Sequence, residues 1–132
     1  MKTQSGRSMI EMLGVLAIIG VLSIGGLAGY TRAMNANAAN NIVDYMNRCA
    51  MIVQERDSLA APVAVNNDCN ANYNMEAMDG VAVTVTAYNA GQNVTLTAAG
   101  DGVTAGVTQN IQNKGNVNGI NWAAFPAVQY TF

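Results

Sequence analysis

An α+β fold is predicted, in which a long N-terminal α-helix, membrane-spanning in its first half, packs through its second half on a small antiparallel β-sheet. Three observations in the 132-residue sequence predict it. From Met12 to Thr31 there is no Asp, Glu, Lys or Arg. A helix of about twenty such residues spans about 30 Å, the hydrocarbon thickness of a bilayer. Further on, Ile42, Tyr45, Met46, Cys49, Ala50 and Val53 recur at the spacing of one helical face. Beyond residue 80, Val alternates with Ala or Thr from Val81 to Tyr88, the pattern of a half-buried strand.

The helix is expected to continue to about Ser58, with Pro62 marking its end. Gly25, Gly26 and Gly29 weaken it by about 1 kcal/mol each relative to Ala, so any bend or local melting is expected near Gly25–Gly29. Asp44 and Arg48 are four apart with the acid first, which suits a modest surface pair. Residues 59–79 read as an irregular connector, rich in turn formers from Asn66 to Asn72. In the sheet region, 80–132, Asn89-Ala90-Gly91-Gln92 reads as a hairpin loop joining the first strand to a partner, Asn93–Ala98. Gly100-Asp101-Gly102 breaks the pattern. Val103, Val107 and Ile111 at four-residue steps predict a short amphipathic helix over 103–114, and Ala127–Phe132 suits a last strand. The two Val/Thr strands are apolar and uncharged, so they are either aggregation-prone or covered between neighbouring copies.

Composition excludes several function classes. Hydrophobic residues make up 51% of the chain and charged ones 11%, against about 25% charged in an ordinary soluble domain. The net charge is −2 and the six basic residues are scattered, so no nucleic-acid partner is indicated. There is no histidine, which removes the commonest general base and the commonest metal ligand. Two cysteines without histidine make a poor zinc site, and no Gly-rich phosphate loop is present. No enzymatic activity, cofactor or metal is expected.

Three readings compete for the N-terminus. A secretory signal peptide has a shorter apolar core than this one and a clearer small-residue exit. A plain membrane anchor fits the length, and Lys2 and Arg7 ahead of the span keep the N-terminus cytoplasmic. It leaves Glu11 unexplained, a carboxylate that costs about 2.5–3.5 kcal/mol at mid-membrane. The third reading starts from MKTQSG, a short polar, basic leader ending in Gly6, followed by Arg7-Ser8-Met9-Ile10-Glu11 and then the uncharged run. This arrangement resembles the class III signal of type IV pilins and pseudopilins, as do Ala17-Ile18-Ile19-Gly20 and Tyr30.

The resemblance implies a prepilin organised as a leader (1–6), a transmembrane and polymerisation helix (7–31) and a soluble head (32–132). A prepilin peptidase would cut after Gly6, Arg7 would become the methylated N-terminus, and Glu11 would be the fifth mature residue. It further implies a structural subunit of a type IV pilus-like filament, held in the bacterial inner membrane and then assembled with identical or related subunits into an extracellular or periplasmic filament. A pseudopilin of a type II secretion-type system and a non-polymerising single-span envelope protein are the alternatives. In a helical polymer of this kind, Glu11 would meet the N-terminal ammonium of a neighbour, a pairing stronger in an apolar core than in water. The other reading leaves the carboxylate at headgroup level. Two departures stand out: the family usually begins its mature chain with an apolar residue rather than Arg7, and many relatives carry a Pro in this helix. A helix between strands looks like type IVb heads, whereas the short leader looks like type IVa.

Cys49 lies on the apolar stripe and Cys69 in the Asn-rich connector. Outside the cytoplasm an even count points to a disulfide, which would close a loop of about twenty residues and stabilise the head by about 3 kcal/mol. Two reduced, buried thiols are the alternative. Many family members close their disulfide nearer the C-terminus.

Overall fold

The computed structural model describes residues 5–114, 120–121 and 125–132, with side chains for 8–114 and 125–132. Helix α1, Ser5–Ser58, is followed by α2 (Cys69–Tyr73), β1 (Ala82–Asn89), β2 (Asn93–Ala99), α3 (Ala105–Asn113), β3 (Ile120–Asn121) and β4 (Ala127–Thr131). The chain divides into two units, one ending at Met34 and the other covering Asn35–Phe132.

In the first unit the helical hydrogen-bond pattern continues through Gly25–Gly29 without interruption. No local melting occurs there: each glycine's intrinsic cost is smaller than the cost of leaving a backbone amide unpaired in an apolar stretch. The leader's first four residues lie outside the described residues.

The second unit is an α+β head built on the remainder of α1. Four antiparallel strands order as β1-β2-β4-β3, with Val85 opposite Leu96 and Leu96 opposite Val128. Alternation puts Val83, Val85, Val94, Leu96 and Val128 on the inner face, each at most 2% exposed. They meet Ile42, Met46, Cys49 and Val53 of α1, as well as Val107 and Ile111 of α3. Burying each such aliphatic side chain contributes about 1.5–3 kcal/mol. Tyr45, read from the sequence as part of the stripe, lies at its margin and is half-buried. The Asp44–Arg48 pair forms at 2.9 Å on the exposed surface, where such i, i+4 pairs contribute about 0.3–0.5 kcal/mol.

α1 ends at Ser58, with Ala60 in the left-handed region (φ 52°) turning the chain away. The connector is more ordered than its composition indicates. Asn66 N–H donates to Val85 O (2.7 Å), Val85 N–H donates to Asn67 O (3.4 Å), and Asp68 bridges Thr84. These contacts cover the outer edge of β1, a place where an apolar strand would otherwise template pairing with another chain. At the far end of β1 the chain folds tightly: Gly102 N–H donates to Gly80 O at 2.8 Å. Gly100 has φ +132°, and a Cβ there would stand 2.3 Å from Gly80 O, so only glycine fits. Thr104 caps α3, accepting from Val107 N–H at 3.4 Å. Lys114 Nζ donates to Asn40 Oδ1, tying the end of α3 to α1.

Candidate functional site

The first unit is an apolar surface that the chain does not cover. Met9, Ile10, Leu13, Leu16, Val21 and Ile24 are 62–76% exposed. An uninterrupted apolar patch of this kind marks a surface meant for lipid or protein. α1 is long and apolar enough to cross a membrane. Two of its hydroxyl groups are turned onto the backbone: Ser23 Oγ donates to Ile19 O at 2.7 Å and Thr31 Oγ1 to Ala28 O at 3.0 Å. That satisfies them without water, as a hydrocarbon environment requires. Tyr30, 62% exposed, closes the run with an amphipathic ring suited to a membrane boundary.

Glu11 lies on this helix, the single charged residue between Ser8 and Thr31. Gly6 and Arg7 belong to the helical backbone of α1, and their side chains lie outside the described residues. Cys49 and Cys69, which belong to the second unit, are joined by a disulfide across 6.1 Å between Cα atoms. Both cysteines are fully buried, so the bond fastens the first residue of α2 to α1 inside the core.

Three features of the head were not read from the sequence. The first is Asp57, whose carboxylate accepts hydrogen bonds from the Tyr88 hydroxyl and from the N–H of Gly91, the latter at 3.1 and 3.0 Å from its two oxygens. One residue in the last turn of α1 thereby holds both the end of β1 and the hairpin loop. The second is the Arg56 guanidinium, stacked 5.0 Å from the centre of the Tyr73 ring, which ties α2 to α1 by a cation–π contact. The third is an open groove of about 580 Å³ between α1 and the connector, lined by Tyr45, Met51, Ile52, Met75 and Met78, with Arg48, Glu55 and Glu76 also in its wall.

Tyrosine ionisation in the head is shifted upward throughout. The hydrogen bond to Asp57 is the main cause at Tyr88, which is pushed up to about 12. Burial raises Tyr130 well above the ordinary tyrosine range and also raises Tyr45 and Tyr73. A group whose pKa is raised on folding contributes stability that is complete below its unfolded value, near 10, and is lost as pH rises through that value. The head should therefore hold constant tyrosine-linked stability up to about pH 9 and lose it progressively from about pH 10 to 12. For Tyr130 the loss is about 1.4 kcal/mol per pH unit while only the unfolded chain ionises. Denaturant titrations across that range check this, and Tyr130→Phe should flatten the slope. An unchanged slope in that variant would remove Tyr130 from the account.

Among the described residues no group of His, Cys, Asp and Glu is arranged to hold a metal ion. No protein-family model, curated protein or solved structure matches the chain.

Proposed function

We propose that the chain is a structural subunit of a type IV pilus-like filament, a prepilin cut after Gly6 whose α1 then packs among the α1 helices of other copies. The observation that carries this reading is Glu11, the one charged residue in a stretch of α1, Ser8 to Thr31, whose large apolar side chains are exposed. Such a surface is covered by lipid before assembly and by neighbouring helices after it. The head fits the role of a covered outer module: its sheet is backed by α1, its β1 edge is closed by residues 66–68, and its connector is fastened by the disulfide. On this reading the partners are identical or related subunits, the inner membrane, a prepilin peptidase and an assembly machinery.

The test is processing. When the chain is produced alongside a prepilin peptidase, the mature mass should correspond to a chain beginning at Arg7 with a methylated N-terminus. The protein should then be recovered in filaments sheared from cells. Gly6→Val should retain the six leader residues and abolish filaments, because the residue before the cut must fit a peptidase site that admits glycine. Normal cleavage of the Gly6→Val chain would move the site elsewhere. A mature chain that is never recovered outside the membrane would favour the single-span anchor.

A further inference from the structure

Asn35–Phe132 contains four methionines, of which Met46 alone is fully buried. The other three, Met51 on α1 and Met75 and Met78 in the connector, come together in the wall of one open groove. Met51 is 60% exposed, and Met75 and Met78 are half-buried. The groove thus gathers three thioether side chains from two separate stretches of chain, Met75 and Met78 also packing against the core beneath it.

A thioether is a soft, neutral donor. Soft donors select monovalent d¹⁰ ions over the hard and borderline divalent metals that carboxylate and imidazole sites prefer. Met is also unbranched with three rotatable bonds, so its sulfur can reorient toward an ion. The charges in the groove favour a cation: Arg48 is matched by Asp44 at 2.9 Å, which leaves Glu55 and Glu76 as uncompensated negative charge in the same wall. The ring of Tyr45 adds a cation-attracting face. Thiolates, which would outcompete thioethers, are absent because both cysteines are in the disulfide.

We propose that Met51, Met75 and Met78 form a three-thioether site for a soft monovalent cation, Cu(I) or its analogue Ag(I), with Glu55 and Glu76 as its neighbouring counter-charges. The ion binds already in the monovalent state and no redox step is involved. The site lies wholly within the second unit and does not depend on filament assembly.

The test uses the full chain in detergent micelles with ¹³C-labelled methionine methyl groups, titrated with silver nitrate in chloride-free buffer. The methyl signals of Met51, Met75 and Met78 should shift and saturate at one equivalent, while those of the other five methionines stay in place. Leu has nearly the volume of Met without the donor atom. Met51→Leu, Met75→Leu and Met78→Leu together should abolish binding with the tyrosine near-UV spectrum intact, whereas Leu at Met9, Met12 and Met34 should not affect it. Glu55→Gln with Glu76→Gln should weaken binding by about tenfold, as loss of groups around a metal's direct ligands commonly does. Anaerobic competition against a Cu(I) chelator should give the same ranking of variants. Indiscriminate shifting of all methionines, binding that survives the triple substitution, or silver binding without Cu(I) binding would each overturn the proposal. So would groove signals that respond to protein concentration rather than to the ion, since that outcome makes the groove an apolar docking surface.

Discussion

Removing the Cys49–Cys69 bond should lower the stability of the head by about 3 kcal/mol, the value expected for a closed loop of this size. The bond spans 20 residues and encloses the end of α1 and the first half of the connector. For a domain of this size the loss corresponds to a fall of about 12–24 °C in Tm. Both sulfurs are fully buried, so Cys→Ala is preferable to Cys→Ser, which would bury a hydroxyl without an assured partner. A second consequence follows from what adjoins Cys69. Asn66, Asn67 and Asp68, which cover the edge of β1, immediately precede it. Freeing Cys69 loosens that cover and exposes an uncharged Val/Thr strand to pairing with another chain. The double Ala variant should therefore both melt earlier and associate through β-structure on warming. Near-UV tyrosine spectra measure the first effect, and hydrogen exchange at Val83 and Val85 measures the second. An unchanged midpoint after reduction would show that core packing alone holds the connector.

The parts of the fold legible in the sequence are those written as periodicity. Ile42, Met46, Cys49 and Val53 announced a buried helical face because four side chains at one angular position leave little choice of surface. Val83 and Val85, then Val94 and Leu96, announced two strands and their inner face. The strand start shifted from Val81 to Ala82 because the Val81 N–H is taken by Met78 O at 3.3 Å. α2 and β3 were not legible: five and two residues are too few to show a period. The disulfide places α2, and pairing with Gln129 and Tyr130 places β3. The same limit hid the groove and the Asp57 anchor. Met51 precedes Met75 and Met78 by more than twenty residues of chain, and Asp57 meets Gly91 across 34. Nothing local marks such meetings. Glu11 was legible for the opposite reason, as a charge where every neighbour is uncharged.

On the filament reading, Glu11→Ala should leave membrane insertion and cleavage intact and abolish filaments. Ala is the stronger helix former, so helix propensity does not oppose the substitution. Removing a carboxylate that costs about 2.5–3.5 kcal/mol at mid-membrane favours insertion. A loss of filaments with insertion and cleavage both intact then points to a contact between subunits. If the carboxylate meets a neighbour's N-terminal ammonium, its loss strands a positive charge in an apolar core, which costs about 3–5 kcal/mol. At about 1.4 kcal/mol per factor of ten, the subunit concentration needed for growth rises by about two to nearly four orders of magnitude. Glu11→Gln separates charge from shape, since it keeps the length and a hydrogen-bonding end. It should fail nearly as completely as Ala if pairing is ionic. Arg7 supplies a second positive group one helical turn before Glu11. If its guanidinium rather than the terminal ammonium is the partner, Arg7→Ala should reproduce the Glu11→Ala defect while leaving cleavage intact. If the ammonium is the partner, Arg7→Ala should assemble normally. Filaments of wild-type yield from both Glu11→Ala and Glu11→Gln would place the carboxylate among the lipid headgroups and remove it from assembly.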